Sequence, residues 1–239
     1  MKIRIKFRKY GIMKFIGHLD LMRYFQKAMR RADIDICYSS GFSPHMIMSF
    51  ASPLGVGLTS DGEYLDIEIG NELSSQAAVQ RLNAVMTEGV EVLSFRRIPE
   101  DKASNAMSLV AAADYEVRFR EPTILPENPE KVWKDFLEQT AVTVVKKTKK
   151  GERELDLKPL IYQAEWKQDT DGTPFVFLRL SSGSADNVKP ELVLEAFAAY
   201  AGFSIPEFAL LIHRKDLYAA AGMAEESRFV SLEDLGEEF

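Results

Sequence analysis

The sequence predicts an α+β fold made of two tandem ferredoxin-like domains, the second of them degenerate. The first observation is the pattern of residues 1–100, where apolar side chains recur with strand and helix periods in the order β-α-β-β-α-β. The second is a looser version of the same order, with an extra strand, over residues 114–215. A chain of 239 residues also has the length of two ordinary domains.

The first strand is predicted by strict alternation. Ile3, Ile5 and Phe7 alternate with Lys or Arg, and this period of two is typical of a half-buried strand. The strand therefore has an apolar side and a basic side. The basic side, called the strand row below, consists of Lys2, Arg4, Lys6 and Arg8.

A helical pattern follows over residues 17–32. At about 100° per residue, its apolar side chains share one side of the helix and four bases share the opposite side. The apolar set is Leu21, Met22, Phe25, Ala28, Met29 and Ala32. The basic set, called the helix row below, is Arg23, Lys27, Arg30 and Arg31. Such a helix is expected to bury its apolar side against a sheet.

Shorter patterns complete the first domain. Residues 46–50, 63–69 and 89–95 are predicted to be strands, and a helix capped by Ser74 or Ser75 lies before the last of them. In this arrangement one face of the sheet packs on the two helices, and the other face is predicted to be open.

The domain boundaries are predicted from composition. A stretch rich in Pro, Ser and Ala indicates a linker at residues 101–113. The second domain is then residues 114–215. Residues 216–239 are strongly acidic towards their end and are predicted to be a helical or loosely ordered tail.

The clearest element of the second domain is a hairpin of residues 160–167 and 174–181, which flank the strong Asp-Gly turn signal at Asp171. A basic turn, KTKKG, lies before it between two further strands. Pro190 at a helix start predicts a helix through Ala201, and residues 207–213 are predicted to be the last strand.

The net charge of −6 hides a strong asymmetry along the chain. Residues 1–31 contain ten Lys or Arg and one acid, Asp20, which gives this stretch a charge of +9. The remaining 208 residues therefore carry −15. A bulk charge of this kind does not exclude a polyanionic partner, because the bases are concentrated at one end of the sequence.

The two basic rows predict contact with RNA. If the apolar side of the first strand faces the helices, the strand row lies on the open sheet face, where ferredoxin-like RNA-binding modules hold their ligand. The strand row contains no aromatic side chain for stacking, so we expect phosphate contact rather than base reading. The helix row either extends this zone or forms a separate patch. The alternative is a solvated basic face that pairs with the protein's own acids.

His18 and His45 are the candidate catalytic residues. His18 lies in Gly17-His18-Leu19-Asp20 at the start of the first helix, and His45 lies in a glycine- and proline-rich segment. Either imidazole could act as a general acid or base. The alternative is that His18 is structural and that Asp20 pairs with a base one helical turn further on.

No metal site or cofactor is expected. Cys37 is the only cysteine, which excludes an internal disulfide and a cysteine-built metal site within one chain. The three histidines are widely spaced and belong to no metal-binding motif. The chain also lacks the roughly 18 consecutive apolar residues of a membrane span and the apolar core of a signal peptide. Cytoplasmic localisation without membrane association is therefore expected.

The residues from Phe15 to Ile69 resemble the radical-SAM-linked proteins, bacterial proteins whose domain occurs alone or fused behind a radical-SAM enzyme. The segments that carry the resemblance are Gly17-His18-Leu19-Asp20, Gly41-Phe42, Pro44-His45, Ser49-Phe50-Ala51, Pro53-Leu54, Val56-Gly57 and Gly62-Glu63-Tyr64. The resemblance continues to about residue 215, through Gly151, Asp156-Leu157, Gly183-Ser184 and Lys189-Pro190-Glu191. The resemblance implies a radical-SAM enzyme as partner in trans, because one cysteine cannot supply the three ligands of its iron–sulfur cluster. It implies no catalytic residues.

The leading hypothesis is thus an accessory protein that binds RNA or presents a substrate to a radical-SAM system and is not catalytic by itself. A second hypothesis is a metal-independent RNA-processing enzyme, ribonuclease-like, that uses His18 or His45. A third is a protein-interaction module whose basic surface meets an acidic protein or the acidic tail of a neighbouring copy. Whether the chain is an enzyme is left open by its sequence.

Overall fold

The computed structural model describes residues 1–101, 103–148, 151–183, 186–221 and 228–239. The fold is mixed α and β, with mostly antiparallel strands and few helices, as the sequence predicts at this level. The chain forms two compact units. The first comprises residues 1–112 together with 214–239, and the second comprises residues 113–213.

The first unit has the predicted order β-α-β-β-α-β over residues 2–97. Its elements are β1 (Lys2–Lys9), α1 (His18–Arg31), β2 (Met48–Phe50), β3 (Thr59–Glu68), α2 (Ser75–Asn83) and β4 (Val90–Arg97). Ser74 caps α2 by accepting a hydrogen bond from the backbone of Ala77. Strand β1 is antiparallel to both β3 and β4, and β2 is antiparallel to β3.

The alternation of β1 determines which side chains form the core. Ile3, Ile5 and Phe7 are completely buried, and Ile3 and Ile5 lie opposite Ile67 and Leu65 of β3. Each fully buried side chain of this size contributes roughly 1.5–3 kcal/mol through apolar burial. The predicted apolar side of β1 is therefore the core side.

Helix α1 packs on this side of the sheet with the face that its period predicts. Leu21, Phe25 and Met29 are buried, and the rings of Phe7 and Phe25 lie 4.7 Å apart. Phe50 packs against both rings and completes an aromatic cluster.

The segment predicted as a linker contains regular structure. Residues 106–109 form the short helix α3 (Ala106–Leu109), and β5 (Val110–Phe119) follows without a break. The boundary between the units therefore falls at residue 112, inside β5, rather than near residue 100. Val110, Ala112 and Ala113 are buried, which explains why a composition resembling a linker forms a strand.

The second unit begins within β5 and contains helices α4 (Pro129–Leu137) and α5 (Pro190–Ala201). Its strands are β6 (Thr143–Thr148), β7 (Gly151–Asp156), β8 (Ile161–Gln168) and β9 (Pro174–Ser181). Strands β8 and β9 form the predicted hairpin, and α5 has the predicted bounds. Gly172 has a φ of +82° at the hairpin turn, a conformation that favours glycine. Trp133, Phe136 and Phe197 form its aromatic core.

The described residues of the acidic tail, 216–221 and 228–239, are an ordered part of the first unit, contrary to the prediction. Strand β10 (Leu210–Ala221) begins later than the predicted strand and continues well into the tail. Strand β11 (Arg228–Ser231) and a 3-10 turn over Leu232–Leu235 follow. β10 lies beside β3, and β11 pairs with β10. Leu232 is fully buried, so an apolar anchor holds this segment on the sheet.

Parts of some predictions lie outside the described residues: Lys102 in the linker, residues 149–150 in the basic turn and residues 222–227 in the tail. Among the helices that the structure describes, none is both long enough and apolar enough to cross a membrane. The finer assignment to tandem ferredoxin-like domains stays a prediction.

Candidate functional site

The strand row does not lie on an open sheet face, and this corrects the sequence prediction. Arg4 is only 2% exposed, and its guanidinium forms a two-point ion pair with Asp66 at 2.8 and 3.0 Å. Arg4 also donates to the carbonyl oxygens of Ser104 and Leu232. Because residues 104 and 232 lie directly over it, Arg4 is not accessible to a nucleic acid.

Lys6 is held in the same way by acids from the C-terminal part of the chain. Its Nζ lies 3.0 Å from Asp216 and 2.9 Å from Glu233. Burial alone lowers the pKa of Lys6, but the two carboxylates outweigh it and raise the pKa above its ordinary value. Tyr64, opposite Lys6 on β3, donates to Asp216 at 2.5 Å, and burial together with this carboxylate raises the pKa of Tyr64.

The two outer members of the strand row are also engaged. Arg8 pairs with Asp61 at 2.9 Å and, more loosely, with Glu91 at 3.4 Å. Lys2 donates to the backbone carbonyl of Asp101 at 3.0 Å. The alternative, that this row pairs with the protein's own acids, therefore describes Arg4, Lys6 and Arg8, whereas Lys2 pairs with a backbone carbonyl.

The helix row, in contrast, lies on the exposed side of α1. Arg23 pairs with Asp20 at 3.1 Å, and both side chains are about two-thirds exposed. Arg31 donates to the carbonyl of Val85. Among the described residues, Lys27 and Arg30 have no hydrogen-bond or ion-pair partner. The α1 surface is thus the part of the predicted basic face that is open to a ligand.

The two candidate catalytic histidines have different surroundings. His18 is half-buried, and its ring packs edge-to-face on Phe50 at 5.0 Å. His45 is exposed, and its Nδ1 lies 2.9 Å from the hydroxyl of Ser39. No contact within the described part of the chain joins the two rings. The geometry favours a structural role for His18 at the start of α1.

Sequence reasoning missed a buried charged cluster on the core side of the sheet. Arg214 forms a two-point ion pair with Glu63, at 2.8 and 2.5 Å, and also donates to the carbonyl of Ser52. Lys9 lies nearby and donates to the carbonyl of Ile16, immediately before α1. Burial lowers the pKa of Lys9, the charge of Glu63 opposes this shift, and Arg214 adds to it.

One signal in the sequence could have revealed this cluster. Glu63 has the same strand parity as Leu65 and Ile67, so an acid stands at an inward-facing position of β3. An inward acid requires a buried cation, because an unpaired buried charge is strongly unfavourable. The cation is supplied by residue 214, which no local pattern could identify.

The fold and these clusters define a two-unit α/β protein with an internally paired sheet face and an exposed basic helix. A family model described as uncharacterized protein conserved in bacteria (DUF2344) matches residues 2–190, and the chain belongs to this family. No curated protein matches the sequence. Among solved structures, the crystal structure of a Cbf5-Nop10-Gar1 complex is similar, with 8% identity and a TM-score of 0.49. The alignment covers 90% of this chain and 48% of that one.

Proposed function

We propose that this protein is a non-catalytic accessory protein that binds RNA through the helix row on α1. The observation that carries the proposal is the pair Lys27 and Arg30, exposed and without partners among the described residues, between Arg23 and Arg31 on the same helix. Exposed bases of this kind attract phosphate and release counterions on binding. The row supplies charge but no stacking ring, so the proposed contact is to the backbone of RNA and is independent of its sequence.

The proposed partner of this accessory protein is a radical-SAM enzyme acting in trans. The support is the resemblance carried by Gly17–Asp20, Pro44-His45 and the neighbouring segments. In the structure two of these segments come together, because His18 packs on Phe50. The proposed finer fold is ferredoxin-like, supported in the first unit by the strand order β4-β1-β3 with β2 beside β3.

A salt titration of RNA binding tests the proposal. Fluorescence anisotropy with a labelled single-stranded RNA of mixed sequence is measured between about 50 and 200 mM salt, a range in which a phosphate-driven complex weakens steeply. The variant Lys27→Glu/Arg30→Glu is expected to bind about tenfold more weakly or worse, with a smaller salt slope. The matched control is Lys131→Glu/Lys134→Glu, which reverses two exposed lysines of α4 in the second unit.

Two results would contradict the proposal. One is the absence of binding by the wild-type protein at the lowest salt concentration. The other is an equal loss of affinity in the α1 variant and the α4 control, because that loss would reflect net charge alone.

A second candidate function, a protein-interaction module, is favoured by an apolar surface at the start of α1. Ile12, Phe15, Leu19 and Val56 are each more than 60% exposed. The backbone N–H of Gly57 donates to the carbonyl of Lys14, which holds Val56 beside the turn that carries Ile12 and Phe15. Contiguous exposed apolar surface commonly marks a protein-binding site.

Photo-crosslinking in the host cell tests this second function. A crosslinking residue at position 15 is compared with one at position 208, because Phe208 is 78% exposed but lies in the second unit. A specific adduct is expected from position 15 alone. The same adducts from both positions would count against the module.

The third hypothesis, an RNA-processing enzyme that uses His18 or His45, stays a prediction. It requires both imidazoles to reach one phosphate, and the described contacts place them in separate surroundings. Cleavage of RNA that is lost in both His18→Ala and His45→Ala would support it.

A further inference from the structure

The C-terminal segment, defined as residues 228–239, lies on bases of the sheet in the first unit. The carboxylate of Glu233 contacts Lys6 at 2.9 Å, and that of Glu237 contacts Arg97 at 2.7 Å. Arg96 has three carboxylates of this segment around it at longer distances. They belong to Glu233 at 3.9 Å, Asp234 at 3.7 Å and Glu238 at 3.9 Å.

Lys6 and Arg96 lie on one face of the sheet, whereas Arg97, opposite the buried Ile3, points to the other face. The segment runs along the edge strand β4 and neutralises the bases on both sides of it. Arg96 also donates to the backbone carbonyl of Glu233 at 3.1 Å.

Arg96 of β4 lies directly opposite Arg4 of β1, and like charges in that position repel each other. Arg97, the next residue, ends β4 and exchanges two backbone hydrogen bonds with Glu237. The acids of the segment thus reduce the repulsion between these bases by pairing with them.

The segment has a fixed part and an exchangeable part. Leu232 is fully buried, and the ring of Phe239 packs on Phe95 at 6.3 Å. In contrast, the side chains of Asp234, Glu237 and Glu238 are 65%, 69% and 73% exposed. The pair of Arg97 with Glu237 is exposed on both sides and contributes only about 0–1 kcal/mol. Arg96 is 24% exposed, but its contacts with Asp234 and Glu238 are long, at 3.7 and 3.9 Å. Another anion can therefore replace these three carboxylates without unfolding the segment.

We propose that Arg96 and Arg97, on the two sides of the β4 edge, bind a second stretch of polyanion backbone along that edge, which the acidic side chains of the C-terminal segment occupy in competition with RNA phosphate. Guanidinium groups bind carboxylate and phosphate in the same two-point geometry, so the two anions compete directly. The site deepens the proposed function and rests on RNA being the ligand. Competition by the chain's own acids raises the RNA concentration that is needed to occupy this site.

The experiment compares two triple variants of the full chain with equal net charge. The test variant is Asp234→Asn/Glu237→Gln/Glu238→Gln. The control, Glu121→Gln/Glu127→Gln/Glu207→Gln, neutralises three exposed acids of the second unit. With the labelled RNA described above, the test variant is expected to bind about three- to tenfold more tightly than the control and to have a steeper salt slope, by about 0.7 for each added phosphate contact.

A second step connects the gain to the two arginines. Adding Arg96→Gln and Arg97→Gln to the test variant is expected to remove the gain, whereas the same pair of changes in the wild-type background has little effect on RNA affinity. This difference is the coupling that a double-mutant cycle measures. Thermal unfolding shows whether each variant is folded. If the triple variant has a much lower melting temperature than the wild-type protein, the single variant Glu237→Gln replaces it.

Equal gains in the test and control variants would overturn the inference, as would a gain that survives loss of Arg96 and Arg97. The outcomes also separate this site from the helix row. If Lys27→Glu/Arg30→Glu has no effect on RNA affinity while the test variant gains affinity, binding by the helix row is ruled out and the second site is supported. If Lys27→Glu/Arg30→Glu weakens RNA binding but the test variant gains nothing over its control, the helix row is supported and the second site is ruled out.

Discussion

The guanidinium of Arg214 and the carboxylate of Glu63 form a two-point ion pair in which both side chains are only 3% exposed. The pair joins β10 to β3 inside the first unit. In the sequence the two residues are 151 positions apart. Neither residue belongs to the strand row or to the helix row.

The first prediction concerns this pair. Glu63→Gln leaves the Arg214 charge buried without a counterion and is expected to lower the free energy of unfolding by about 3–5 kcal/mol. Asp20→Asn, which breaks the exposed pair with Arg23, is the control and should change it by less than about 1 kcal/mol. Urea denaturation measures both. Equal effects would mean that the buried pair is not a stabilising feature.

The second prediction separates the two basic rows. Arg4→Met leaves Asp66 buried without its cation and is expected to cost about 3 kcal/mol or more, or roughly 6 °C or more in melting temperature for a chain of this size. Lys27→Met removes an exposed charge and should shift the melting temperature by no more than about 2 °C. If both variants melt alike, Arg4 is not the structural residue described above.

The third prediction is a pH dependence that originates at Glu233. Burial raises the pKa of this carboxyl, but Lys6 and Arg96 outweigh it, so the pKa in the folded state lies below the ordinary value of 4.5. A lowered pKa contributes stability above the unfolded-state pKa, and that contribution is lost as the pH falls through the folded-state pKa. Wild-type stability should therefore fall more steeply below about pH 4.5 than that of Glu233→Gln.

Urea denaturation between about pH 3 and pH 7 measures this difference. Lys6 has the opposite pH dependence, at alkaline pH. Its pKa is raised, so its contribution to stability is lost as the pH rises through that pKa. If the free energy of unfolding falls equally steeply with decreasing pH in the wild-type protein and in Glu233→Gln, this ion pair does not contribute to acid sensitivity.

The fourth prediction tests how closely β10 approaches β3. A Cβ atom at Gly62 would lie 2.5 Å from the carboxylate of Asp216 and 2.7 Å from its Cα atom. Gly62→Ala is therefore expected to push β10 away and to cost about 1–3 kcal/mol. Gly55→Ala is the control, since its nearest neighbour would be a leucine methyl group at 3.6 Å. Thermal unfolding compares the two, and equal melting temperatures would contradict the close approach.

Local periodicity correctly identified the core side of the sheet and the exposed side of α1. The alternation of Ile3, Ile5 and Phe7 and the helical spacing of Leu21 and Phe25 depend only on residues a few positions apart. Such patterns record which side chains are apolar, and apolar side chains are buried whatever their partners are.

The surroundings of the strand row could not be predicted in this way. Its alternation showed that Arg4 and Lys6 share a side, but their counterions are Asp66, Asp216 and Glu233, far away in sequence. The acidic composition of residues 216–239 suggested a solvated tail. Apolar residues among those acids, such as Leu217, Leu232 and Phe239, were the sign that the segment packs on the fold.

The discontinuity of the first unit has a consequence for its biosynthesis. Residues 113–213 must be translated before residue 214 exists, which takes roughly 5–20 s at typical elongation rates. During that interval Glu63 has no Arg214, and Lys6 has neither Asp216 nor Glu233. The second unit can fold first, and the N-terminal strands remain incomplete on the ribosome until the last part of the chain reaches them.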